Sequence, residues 1–248
     1  VVLNGMFEVV RRLFDIEVKP DPDMPVWHPD ARGFEILRQG QRIARFYIDL
    51  YARPNKRGGA WMDDCRVRRS RLNGELQLPV AYLTCNFSAP VGDTPSLLSH
   101  NEVVTLFHEF GHGLHGLLSN VTYRSLSGTA VKRDFVELPS QIMEHWAIEP
   151  EVMRSYAMHY ETGEVIPDEL IQKILETQTF NMGFSTTEYL AASYLDLQWH
   201  DLEWQAVKDD QKLDSEQLES EATRQIELAS KTAPPQPSTN FPNIFAAV

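Results

Sequence analysis

The run TLFHEFGHGLHG, residues 105–116, constrains this chain more than any other stretch, because it sets His108, Glu109 and His112 inside an otherwise apolar segment. Val103, Leu106, Phe107, Phe110, Leu114 and Leu117 recur at helical spacing, and Ser99 with Glu102 has the pattern of a capping box that opens a helix. Residues four apart lie one turn from each other on the same helix face. His108 and His112 can therefore direct imidazole nitrogens at one point, at about the 2.0–2.1 Å that zinc requires. Glu109 stands about 100° further round the helix, beside that point, where it would address a metal-bound water and take its proton. The resulting carboxylic acid could protonate a leaving amine, which together amounts to peptide-bond hydrolysis. Gly111 and Gly113 would each cost about 1 kcal/mol relative to alanine. They make sense if another backbone, or further metal ligands, must come close to this face. The competing reading is a core helix with incidental histidines, and the capped, apolar setting argues against it.

A catalytic zinc needs a third protein ligand and an open position. His115 is one candidate, but residues 108, 112 and 115 span about 10 Å of a straight helix at 1.5 Å per residue, too far to converge readily on one ion. The spacing also departs from the pattern H-E-x-x-H-x-x-G-x-x-H, since His115 stands where glycine belongs and Leu118 where histidine belongs. Glu137, in DFVELPSQIMEHW, is the better candidate. It follows His108 after room for a loop and an antiparallel return. Pro139 requires a helix there to start late or bend, and Asp134 is a candidate N-cap. Asp134, Gln141 and Glu144 are candidates for orienting a ligand histidine, against the plainer reading of a solvated helix face.

Around this segment the chain reads as mainly helical with one small sheet. GFEILRQGQRIARFYIDLY has two apolar-rich runs about Gln39-Gly40 and predicts a β-hairpin, KRGGAWMDDC reads as a turn, and PVAYLTCNF predicts a strand. Helices are expected over 138–148, near 151–161, after Pro167, from a Ser185–Glu188 capping box through Trp204, and from Ser215 to Lys231. The last stretch, APPQPSTNFPNIF, reads as extended. A formal charge of −12 argues against a nucleic-acid or anionic-membrane partner. Cys65 and Cys85 form no disulfide framework and fit a reducing, cytoplasmic setting. No apolar run reaches the roughly 18–20 residues needed to span a bilayer.

VVTLFHEFGHGLH and DFVELPSQIMEHW together resemble the paired signatures of the thimet oligopeptidase family, in its bacterial oligopeptidase A branch. VWHPD, FYIDLYARPNKRGGAWMDDC, LPVAYLTCNFSAPVGD and HYETGE carry the resemblance over nearly the whole chain. It implies a zinc-dependent endopeptidase that cuts short peptides, binding one Zn²⁺ through His108, His112 and Glu137, with Glu109 activating the water. The implied fold is mainly α (α+β) and zincin-like, with a small antiparallel sheet in the first third. The expectation is a single partial catalytic domain over 1–248: a sheet-containing part (1–98), a helical metal-site part (99–232) and an extended tail (233–248). Members of the family are longer and carry transition-state-stabilising residues beyond the point matching FPNIFAAV. The rest of such an enzyme is therefore expected to pack against this chain, which alone would have weak activity or none. The strand Ala81–Phe87 is expected to pair with substrate. A zinc aminopeptidase and a non-catalytic peptide-binding module are the alternatives.

Overall fold

The computed structural model describes residues 1–201 and 215–225. Two compact units divide it, Val1–Ile171 and Gln172–Val248. The first unit opens with helix α1 (Val2–Phe14), which sequence patterning left unassigned. Its buried Met6, Val9 and Val10 share one face, and Asp15 ends it in the left-handed region.

Five strands follow, β1 (Glu17–Pro20), β2 (Arg32–Arg38), β3 (Gln41–Tyr51), β4 (Trp61–Arg66) and β7 (Val80–Phe87), in the spatial order β1-β2-β3-β7-β4. Two short strands, β5 (Arg69–Ser70) and β6 (Leu76–Gln77), pair separately. The expected hairpin is β2–β3, and Gln39 and Gly40 both take positive φ (51° and 74°), as a two-residue type I′ turn needs. The sheet is mixed: β3 and β7 run parallel, whereas the β1–β2, β2–β3 and β4–β7 pairs are antiparallel. The segment read as a turn, KRGGAWMDDC, is a turn only in its first half. From Trp61 it becomes β4, which lies outside β7 in the sheet.

Both faces of the sheet centre are covered. On one, Phe46 of β3 meets Phe34, Phe7 and Phe110 with ring centroids 5.2–6.2 Å apart. On the other, Trp27, Tyr47 and Tyr82 cluster, and Trp27 Nε1 donates to the buried Asp49 carboxylate. Asp49 also accepts from Arg53 and from the buried Lys56 ammonium at 2.8 Å. These partners hold its carboxyl well below the usual range despite burial.

Helix α2 (His100–Leu117) lies across the first face. The capping box is formed: Ser99 Oγ accepts from the Glu102 amide at 3.3 Å, and the Ser99 amide donates to Glu102 Oε2 at 2.7 Å. Helix α3 (Leu138–Ile148) returns against α2, and α4 (Pro150–Tyr156) follows. The helix expected to 161 stops at Tyr156 because the chain turns back, with the His159 amide donating to Glu164 O.

In the second unit, α5 (Asp168–Thr177, begun in the first), α6 (Met182–His200) and α7 (Ser215–Gln225) are helical. The Ser185–Glu188 cap is not used. α6 starts earlier, behind Asn181, and the Ser185 amide already bonds Asn181 O inside the helix. The expected ends of α6 at Trp204 and of α7 at Lys231, and the tail from 233, lie outside the described residues. Among the described residues, no helix is long and apolar enough to cross a membrane.

Candidate metal centre

The centre is built where α3 crosses α2. Gly111 lets the two backbones touch: a Cβ there would sit 2.5 Å from Pro139 O and 2.6 Å from the Ser140 Cα. Gly113 serves the opposite contact, since its Cβ would meet Leu83 of β7 at 3.1 Å. The helix carrying the histidines is thus clamped between the sheet and α3, which accounts for both glycines.

That crossing sets Glu137, the residue just before α3, over the two histidines. Glu137 Oε2 lies 3.2 Å from His108 Nε2 and 3.1 Å from His112 Nε2. One ligand atom from each of the three residues falls within 4.8 Å of the others. Ligands about 2.0–2.1 Å from a tetrahedral ion stand roughly 3.3 Å apart, so the donor set suits a zinc-sized cation in both spacing and chemistry. Ser140 Oγ donates to Glu137 Oε2 at 2.7 Å and, with the neighbouring histidines, holds that carboxyl below its usual range. Burial pushes His112 down, toward the neutral imidazole that binds metal. Both shifts favour the forms a cation needs.

Glu109 is buried beside this group, facing the sheet. Burial raises its carboxyl, and the Glu137 charge adds to that. His108 and the backbone amide of Met62 on β4 pull the other way. Its neighbour Cys85 is buried, and its thiol is pushed up to about 12. Cys65 on β4 is exposed.

Of the three residues considered for orienting a ligand, Glu144 is the one brought to a histidine. Its Oε1 accepts from His108 Nδ1 at 2.6 Å, which leaves the other ring nitrogen, Nε2, facing Glu137. Asp134 is exposed in a short 3₁₀ turn, Arg133–Phe135, and is not the α3 N-cap, because that helix starts behind Glu137. The Gln141 side chain is exposed, and only its backbone N–H meets Glu137, donating to the main-chain O. His115 turns away, toward Phe135 and Asp64. Sequence reasoning missed Ser140 and the Met62 backbone. For Ser140 the available signal was a hydroxyl three residues after Glu137. The strand Ala81–Phe87 has β3 on one side and β4 on the other, so it offers no free edge; among the described residues the free edge beside Glu109 belongs to β4.

Two histidines one helical turn apart, a carboxylate from the next helix and a buried glutamate under a sheet edge define the kind of site found in metallohydrolases. Comparison with known proteins takes this further: the profile of Peptidase family M3 matches residues 1–248, and the chain belongs to that family of peptidases, the thimet oligopeptidase family. It is 52% identical to oligopeptidase A of Escherichia coli over 180 residues, covering 72% of this chain and 26% of that protein. It is 48% identical over 194 residues to the dipeptidyl carboxypeptidase of E. coli, covering 77% of this chain and 28% of the relative. Against the organellar oligopeptidase A of Arabidopsis thaliana it is 44% identical over 201 residues, with coverage of 77% and 25%. The chain spans about a quarter of the length of these relatives.

Proposed function

We propose that this chain supplies the catalytic centre of a zinc-dependent, cytoplasmic endopeptidase acting on short peptides. Its metal ligands would be His108, His112 and Glu137, and Glu109 its general base. The observation that carries the reading is the convergence of three ligand atoms within 4.8 Å, with the Glu109 carboxyl buried beside them. A divalent cation held there would supply Lewis acidity toward water and toward the scissile carbonyl.

The chain's own residues do the rest. Glu144 holds the His108 ring in one tautomer, and Ser140 holds Glu137 ionised. Glu109, ionised, removes a proton from the attacking water and, once protonated, delivers it to the departing amine. Its packing against the sheet excludes bulk solvent from that transfer. The substrate backbone adds to the free edge of β4, antiparallel, which lays the peptide across the site. Residues 1–98, 99–232 and 233–248 form one catalytic domain in this reading, and the remainder of the enzyme packs against it.

Metal content per chain, measured alongside hydrolysis of an internally quenched peptide, tests the reading. One zinc per wild-type chain is expected, with loss of most of it in Glu137→Ala. Undiminished metal in that variant would reject the assigned ligand. The similarity to a dipeptidyl carboxypeptidase favours one second reading, removal of dipeptides from C-termini. The cleavage products separate the two, since an endopeptidase also cuts substrates blocked at the C-terminus.

A further inference from the structure

Beyond the metal ligands, the free edge of β4 opens onto a groove of about 600 Å³. Asp64 of β4, Val67, Tyr123, Arg124, Ser127 and Thr129 line it. Its far wall, the loop after α2, is pinned: the Gly128 amide donates to Ser119 Oγ at 2.9 Å and the Ser70 amide to Thr122 O at 2.9 Å. Gly116 allows this wall and Asp64 to close on the end of α2. A Cβ at position 116 would meet Asp64 Oδ1 at 3.2 Å, and one at Gly128 would meet the Gly116 Cα at 3.0 Å. Ser127 is 2% exposed, and its Oγ has no hydrogen-bond partner among the described residues. A buried hydroxyl without a partner costs free energy that a ligand's polar group can recover.

The register of the sheet says what would reach this groove. Met62 pairs with Leu83 and Asp64 with Ala81, so both side chains stand on the α2 face, two residues apart. Met62 is the residue whose amide meets Glu109. In a peptide paired antiparallel to β4, the residue opposite Asp64 lies two positions to the N-terminal side of the one opposite Met62. Its side chain projects to the same face as Asp64, with Cβ atoms about 5 Å apart. Arg124 sits on the opposite wall and is exposed, whereas Asp64 is the direct cross-strand neighbour.

We propose that Asp64, with Ser127, forms a side-chain subsite that selects a lysine or arginine at that substrate position. The inference rests on the peptidase reading and on β4 as the edge that receives the peptide. Opposite charges across a strand pair attract and like charges repel, so a basic residue is favoured there and an acidic one rejected.

Quenched peptides differing only in Lys, Gln or Glu at this position, assayed with the full-length enzyme carrying this chain, test the proposal. The wild type should show kcat/KM for Lys about fivefold above Glu. Asp64→Asn should bring that ratio to near one, and Asp64→Lys should invert it. Fluorescence anisotropy of the same peptides on a Glu109→Gln variant should give the same order of Kd. A Lys-to-Glu ratio unchanged in Asp64→Asn, or a wild type preferring Glu because Arg124 reads the side chain, would overturn the proposal. If Asp64→Asn fails to fold, a wild-type ratio of one overturns it alone. Failure of the zinc-loaded enzyme to cut any of the peptides would sink the peptidase reading instead, while the anisotropy order still decides whether Asp64 reads charge.

Discussion

Glu109 shows how one residue's surroundings set its usefulness. A solvated glutamate ionises near pH 4.3 and is a weak base. Burial between α2 and the sheet raises this one, which makes its carboxylate a stronger base than a solvated one. The direction of the pH effect follows. In the proposed role the ionised form is the active base, so kcat/KM should fall as pH drops through the Glu109 pKa; without metal that pKa should lie above an unshifted carboxylate's, and a bound divalent cation, which favours the ionised form, should lower it. Replacing Glu109 with glutamine should lower kcat by about 10²–10⁴ and abolish that fall. Metal content should remain at one per chain. A pH–rate profile paired with metal analysis checks both halves, and metal loss in Glu109→Gln would mean the residue supports the site rather than the proton transfer.

At the scale of elements, the crossing of α2 on α3 decides whether the proposed ligands meet. Gly111→Ala should gain about 1 kcal/mol of helix propensity yet cost about 1–3 kcal/mol through overpacking against Pro139 and Ser140. The expected result is a lower melting temperature and weaker zinc affinity together, read by calorimetry and by competition with a chelator. A variant equally stable and equally avid would show that the backbone contact has slack. This crossing also explains what patterning could and could not reveal. His108 and His112 were legible because four-residue spacing is a property of one helix, and α2 was legible because its cap and apolar stripe are local. Glu144 could not be told from Asp134 or Gln141 in advance, since the choice depends on how α3 is rotated against α2. β4 was hidden for a similar reason. WMDDC lacks clean alternation, and it becomes a strand through pairing with β7 and contact with α2. Ser185 with Glu188 copied a local cap signal, but α6 had already begun three residues earlier.

For the whole molecule, the matched relatives are about four times as long as the region aligned, and the second unit carries much bare apolar surface. Phe180, Phe184, Tyr189 and Leu197 are 53–76% exposed. Isolated surface apolar residues are ordinary, and these four gain a role only under the proposal that the remainder of the enzyme packs here. Phe184→Ser with Leu197→Gln should raise the solubility of this 248-residue chain produced alone and lower the melting temperature of the full-length enzyme. Light scattering and thermal denaturation read the two effects, and an unchanged full-length melting point would leave the surface without a partner. At Gly111 main chain rests directly on main chain, so the separation of the two helices that carry the imidazoles and Glu137 is set there by backbone contact rather than by compressible side chains. In the proposed centre a change of cation preference would therefore call for different donor atoms, because at Gly111 the two backbones already touch.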